Sequence, residues 1–287
     1  MSLKTVIITG ANSGIGLAAS HQLAARGARV VMACRNKERG ESACEAVKSS
    51  SHNPHVYFVE LDTSSKASVT RCAGEILSRW PVIDALIHNA ATFDISQTKG
   101  HLTEDGVEYV WATNYLGPWL LTRLLLEALS ASKPGRVIDI SSKGLLAKPF
   151  LSIEPNKAAS VEDFSPQTAY YRSKLAMLTH TMTLAREHDP RDLVSLAVWV
   201  PAVKVAPDRI PPLSPLMKKI YMLKRRFALE PEEMAPVYVA LALDDAWKDR
   251  TGVLVDEHLR EVKPPGKVFH MDAALELERI TQEQLQL

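Results

Sequence analysis

Along the first 200 residues, short apolar and β-branched runs alternate with longer stretches whose apolar positions recur every three or four places. Thr5–Thr9, Ala28–Ala33, Val56–Leu61, Ile83–His88, Arg136–Ser141 and Val194–Val200 are the short runs. Each is mostly apolar rather than strictly alternating, the pattern of a strand covered on both faces. Between them, Leu17–Arg26, Lys37–Ser50, Lys66–Trp80, residues 105–131 and Ala169–Glu187 read as helices. Asp62–Ser64, just past the third run, can cap the helix that follows. Strand and helix alternating at intervals of roughly 25–30 residues predict an α/β protein with a parallel, doubly wound sheet. No shift in composition divides the chain, so residues 1–287 are expected to form a single domain.

Two stretches break this rhythm. Residues 143–168 carry Pro149, Pro155 and Pro166, and residues 203–230 carry Pro207, Pro211, Pro212 and Pro215. Long insertions in a compact domain are usually functional loops. In the second, Leu216, Met217, Ile220 and Leu223 can share one helical face while Lys218, Lys219, Lys224 and Arg225 stay wet. A substrate lid over about 203–230 is expected, with contact to a membrane surface as the other use of such a segment. Residues 271–287 read as a terminal amphipathic helix.

Charge and cysteine content narrow the class. A formal net charge of +1 gives no general attraction to nucleic acid. Cys34, Cys44 and Cys72 lack metal-ligand spacing and are odd in number, which favours a reducing compartment. Met1–Lys4 lead directly into the first strand, with no room for a signal peptide. Arg123 interrupts the apolar run Trp119–Leu126, making it a core helix rather than a membrane span. These features predict a cytoplasmic protein with no metal and no integral membrane segment.

Two stretches carry chemistry. In the first, a strand runs into Gly10, Gly14 and Gly16 and then directly into a helix. Strand, glycine turn and helix let backbone N–H groups and a helix N-terminus approach a pyrophosphate. The second is Tyr170-Tyr-Arg-Ser-Lys174. On a helix, Tyr170 and Lys174 share a face. A tyrosine of ordinary pKa about 10 is a poor acid at neutral pH, and a neighbouring ammonium lowers that value. Ser142, at the end of the fifth strand, is placed to hold a substrate oxygen.

Thr9–Gly16, Asn89–Ala90, Asn114, Ser141–Ser142 and Tyr170-x-x-x-Lys174 together resemble the short-chain dehydrogenase/reductase family over about residues 4–255. Within it, Ala33–Asn36, Asn114–Gly117 and Tyr171–Ala176 look most like the retinol-dehydrogenase-like branch and the related protochlorophyllide reductases. The resemblance implies a Rossmann-type fold and a catalytic tetrad of Asn114, Ser142, Tyr170 and Lys174. Tyr170 would be proton donor or acceptor, Ser142 would orient the carbonyl, and Asn114 would hold a relay water. Lys174 would lower the Tyr170 pKa and hold the cofactor ribose. Cofactor binding would fall to Gly10, Asn12, Ser13, Gly14, Ile15, Gly16, Asp62, Asn89, Ala90, Tyr170, Lys174, Pro201 and Val203. Arg35 joins them: the end of the second strand carries a guanidinium and no carboxylate before Glu38, which predicts NADP(H) over NAD(H).

The expected reaction is interconversion of a carbonyl and an alcohol on an apolar, retinoid-, polyketide- or terpenoid-like substrate. Family likeness also suggests a homodimer or tetramer through helices near 105–131 and 170–187. Three positions depart from the family: Ala91 and Ala202 replace glycines, and Ala206 stands where a threonine often meets the nicotinamide. They keep a second reading open, a redox-inactive nucleotide-binding member acting as a non-redox cyclase, sensor or scaffold.

Overall fold

The computed structural model describes residues 3–205, 222, 225–264 and 271–287. Seven strands form one sheet in the order β3-β2-β1-β4-β5-β6-β7. They are β1 Thr5–Thr9, β2 Arg29–Cys34, β3 Val56–Glu60, β4 Ala85–His88, β5 Gly135–Ser142, β6 Leu193–Val200 and β7 Val253–Val255. Every pairing is parallel. This is the Rossmann-type doubly wound fold expected from the alternation. The order turns outward from β1 on one side and from β4 on the other, so a crevice opens beyond their carboxyl ends.

Helices α1 (Gly14–Ala25) and α2 (Lys37–Ser51) cover one face together with α8 (Pro231–Leu243). Helices α3 (Lys66–Arg79), α5 (Gly117–Ser130) and α7 (Pro166–Glu187) cover the other, and α6 is the short turn Pro155–Ala158. Each face closes on its own apolar cluster. Ile8, Met32 and Leu196 point to one, and Ile7, Val31 and Leu86 to the other, as the period of two requires.

The structure adjusts several expected boundaries. Helix α1 starts at Gly14, inside the glycine turn. Ser65, not Asp62–Ser64, caps α3 by accepting from the Ser68 N–H at 3.3 Å. The expected helix at 105–131 begins as a short turn, α4 (Tyr109–Trp111), passes through a π-helical turn (Ala112–Leu116) and continues as α5. β7 and α8 lie past the last strand expected from sequence. Most of the expected lid, 206–221 with 223 and 224, lies outside the described residues, as does Ala206. Its two ends meet: Lys204 N donates to the Leu229 carbonyl at 2.9 Å and Leu229 N to that of Ala202 at 3.0 Å. The tail helix, α9, spans Met271–Leu285.

Candidate active site

β1 delivers the chain into a turn that only glycine fits comfortably. Gly10 has φ +64° and Gly14 φ +55°, both left-handed. At Gly16 a Cβ would stand 2.5 Å from Asn89 Nδ2 and 2.6 Å from the Gly10 carbonyl. Ser13 occupies the N-cap of α1 without a side-chain cap bond, and the first turn holds no acidic residue. The partial positive charge of α1 is therefore left for an external anion, with open space around Gly14. This cradle fits a dinucleotide pyrophosphate. Asn12, Ser13 and Ile15 lie in the same turn, each partly exposed.

Asn89 is spent on the loop itself, donating to the Thr9 carbonyl at 2.9 Å and the Gly10 carbonyl at 3.2 Å. The Ala90 N–H meets the Thr9 hydroxyl at 2.9 Å. Both residues lock the end of β4 to the glycine turn. At the end of β2, exposed Arg35 donates to the Tyr109 hydroxyl at 2.6 Å and sits 3.9 Å from Asp62. Asp62 accepts from the Ser64 N–H and hydroxyl at 2.9 and 2.7 Å, an Asx turn that leaves its other oxygen towards Arg35. Tyr109 carried no sequence signal for this role; it stacks on His101 at 4.5 Å.

The catalytic candidates converge from three elements. Ser142 ends β5, and its hydroxyl accepts from the Gly144 N–H at 3.2 Å and acts on the Tyr170 phenol to lower its pKa. Lys174, one turn further along α7, is buried and donates to the Ile140 carbonyl at 2.9 Å. Its ammonium lies 5.7 Å from the centre of the Tyr170 ring. Asn114, in the π turn, accepts from the Thr92 N–H at 2.7 Å and donates to the Thr92 carbonyl and the Ser173 hydroxyl at 3.0 and 3.1 Å. Turns of this kind recur at functional positions. Thr92, Ser173 and the Ile140 carbonyl are positioning groups that pattern reading passed over. Pro201 and Val203 follow β6, with Val203 bridged to Leu229.

Electrostatics depart from the expected direction at Tyr170. Burial raises its pKa to about 12, and the Ser142 hydroxyl only partly offsets this. Burial also lowers Lys174 to about 8, with Asp139 working against that shift. Lys174 thus keeps its charge at neutral pH but loses it above about 8, well before a phenol at about 12 would ionise. Beneath it lies a wholly buried polar layer. His180 Nδ1 and the Thr181 hydroxyl meet Asp139 Oδ2 at 2.9 and 2.8 Å, and His88 Nε2 meets the Thr122 hydroxyl at 2.7 Å. His88 sits opposite Asp139 in the β4–β5 register and is pushed down to about 4 by burial.

On the open side, Phe93 packs on the Tyr170 ring at 4.5 Å and Tyr171 flanks it at 5.3 Å. Phe93, Leu146 and Phe150 keep apolar surface exposed. Aromatic rings thus flank the Tyr170 side chain on this side.

The family profile described as short chain dehydrogenase matches residues 4–153. The chain belongs to the short-chain dehydrogenase/reductase family. It is 37% identical over 182 residues to retinol dehydrogenase 13 of Mus musculus, a match covering 63% of this chain and 53% of that protein. It is 40% identical to mouse retinol dehydrogenase 14, over 64% of this chain and 56% of the relative. The chain therefore spans little more than half the length of these curated relatives. Among solved structures, an uncharacterised protein from Mycobacterium paratuberculosis aligns with TM-score 0.71 at 26% identity, covering 99% of this chain and 93% of that one. A Salmonella enterica short chain dehydrogenase shares the fold at TM-score 0.68 and 21% identity, over 89% and 96% of the two chains. The short-chain dehydrogenase/reductase family is one that uses a nicotinamide dinucleotide. No helix among the described residues is long and apolar enough to cross a membrane.

Proposed function

We propose that this chain is an NADP(H)-dependent oxidoreductase that interconverts a carbonyl and an alcohol on an apolar small molecule of retinoid-, polyketide- or terpenoid-like character. The observation that carries this reading is the convergence of the Ser142 hydroxyl and buried Lys174 on the Tyr170 phenol, with the ammonium 5.7 Å from the centre of the ring. A bound nicotinamide would supply the hydride. The rest is the chain's own work. The Tyr170 hydroxyl gives its proton to the developing alkoxide, and Ser142 donates a second bond to the same oxygen. Lys174 holds the ribose, and Asn114 orders the route by which Tyr170 is reprotonated. Phe93 and Tyr171 exclude water from the reacting oxygen. The retinol dehydrogenase relatives and the exposed Phe93, Leu146 and Phe150 support an apolar substrate.

Arg35 supports the cofactor choice. Its guanidinium is held by the Tyr109 hydroxyl at the end of β2, where it can fork onto a 2′-phosphate. Fluorescence titration should give tighter binding of NADPH than of NADH, and Arg35→Asp should narrow or reverse the gap. Equal dissociation constants in the unmodified protein would remove that assignment. Loss of NADPH absorbance against a panel of retinoid, terpenoid and polyketide aldehydes and ketones tests the reaction. Absence of turnover across the panel, despite tight NADPH binding, would favour the non-redox reading.

A further inference from the structure

Trp111, Tyr115, Trp119 and Arg123 stand four residues apart along the run from α4 through the π turn into α5. The three aromatic side chains are almost wholly buried, yet each has a polar tip. Every tip ends on α9. Trp111 Nε1 donates to Gln284 Oε1 at 3.0 Å, and the Tyr115 hydroxyl pairs with Thr281 Oγ1 at 2.9 Å. Trp119 Nε1 and Arg123 Nη2 donate to the two carboxylate oxygens of Glu278 at 2.9 and 2.7 Å. The partners descend, 284, 281, 278, as the donors ascend, so the two helices run antiparallel as a polar zipper within an apolar seam. Leu277, Ile280 and Leu285 are buried along the same edge of α9. Further bonds tie its end down: Gln284 Nε2 donates to the Pro155 carbonyl at 3.2 Å, and the Lys66 ammonium to the Leu285 carbonyl.

The first two teeth of the zipper, Trp111 just before the π turn and Tyr115 within it, flank Asn114 on either side. A π turn fits one extra residue into a helix and relies on its surroundings to hold it open. Here the outer side of the turn is fastened to α9, and the inner side presents the Asn114 amide to Thr92 and Ser173. We infer that α9 is a positioning element for the active site: it clasps the π turn at Trp111 and Tyr115 and so fixes where the Asn114 amide points. This rests on the role proposed for Asn114. Helices α5 and α7 are among those expected to mediate a dimer or tetramer, and Arg123 of α5 links Glu278 of α9 to Glu187 of α7.

The test is a full-length double variant, Thr281→Val with Gln284→Leu, which removes both clasping groups while keeping the apolar edge of α9. Amide hydrogen exchange over residues 109–120 should quicken by about tenfold or more, on the scale of losing one to two buried hydrogen bonds, while exchange in β1 and α1 stays unchanged. The paired control, Thr281→Ser with Gln284→Glu, keeps both oxygens and should exchange like the unmodified protein. With a substrate in hand, the double variant should lose kcat about fivefold or more and keep its NADPH dissociation constant within about twofold. If the double variant is too unstable to purify, Gln284→Leu alone serves, with the same expected direction. Unchanged exchange over 109–120 would overturn the inference, as would quickened exchange with kcat intact. Failure of the substrate panel would count against the proposed reaction alone, because the exchange measurement needs no turnover.

Discussion

The glycine turn and the candidate catalytic layer both lie towards the carboxyl ends of strands in one sheet, yet they are built from different materials. The turn is backbone: three glycines, the N-terminus of α1, and an Asn89 amide that fastens β4 to the loop. Nothing in it titrates near neutral pH. The candidate catalytic layer is built of side chains, with Tyr170, Lys174 and His88 packed where burial shifts protonation and the Asp139–His180 pair buried among them. A backbone site should respond to shape and ignore pH. A buried titratable layer should respond to charge and tolerate shape. Substitutions on each side can break that contrast or sharpen it.

The largest effect belongs to Tyr170→Phe. The ring keeps its place against Phe93 and Tyr171, so packing survives and the proton does not. Turnover should fall by at least about a hundredfold, the scale of a positioned acid, with NADPH affinity nearly unchanged in a fluorescence titration. Retained turnover would end the dehydrogenase reading. The counterpart on the backbone side is Gly16→Ala, whose new methyl would meet Asn89 and the Gly10 carbonyl at 2.5 and 2.6 Å. Overpacking of about 1–3 kcal/mol falls on the loop and should weaken NADPH binding by roughly tenfold or more, equally at pH 6 and pH 9. A loss that varied with pH would dissolve the contrast.

Lys174 lies where the two sites meet, and its sign can be worked out. Burial holds it at about 8 against an ordinary value near 10.5, so the unfolded chain binds its proton more tightly. Its contribution to stability is present above about 10.5 and is lost as pH falls towards about 8, leaving a burdened fold at neutral pH. Lys174→Met should remove up to about 3 kcal/mol of that burden, so thermal unfolding at pH 7 should move up or hold while NADPH binding and turnover drop. In the unmodified enzyme, kcat/KM for carbonyl reduction should decline as pH rises through about 8 and the ammonium is lost. A melting temperature that fell sharply at pH 7 would mean that the charge is better compensated than its surroundings suggest.

The same contrast explains what could be read from sequence. The glycine turn is local: strand, Gly10, Gly14, Gly16 and helix follow within a few residues, so spacing alone carries the geometry. The sheet was legible for a related reason, since strands buried on both faces write themselves as unbroken apolar runs. Tyr170 and Lys174 were visible because one helical turn joins them. The layer beneath was not. His88, Asp139 and His180 come from β4, β5 and α7, and a lone polar residue in each element says nothing until the register sets His88 opposite Asp139. Tyr109 reaches Arg35 across 74 positions for the same reason. β7 is only three residues long, and α8 begins beyond the last run that was read. The expected fall in the Tyr170 pKa failed because helical spacing specifies proximity, whereas desolvation depends on everything packed around the pair.

The smallest effect at neutral pH belongs to His88, and it tests whether the hidden layer titrates as burial implies. Its pKa stands at about 4 instead of 6.5, so the folded state disfavours the imidazolium. Stability from this group is complete above about 6.5 and drains away as pH falls towards about 4, by up to about 3 kcal/mol. His88→Gln can keep a polar partner for Thr122 while removing the titration. At pH 7 its unfolding free energy should differ by about 1 kcal/mol or less, the scale of a modest packing change. Between pH 6.5 and 4, the unmodified protein should lose stability more steeply than His88→Gln under denaturant titration. Parallel curves over that range would place the acid sensitivity elsewhere in the molecule and leave Lys174 as the principal titrating member of the catalytic end.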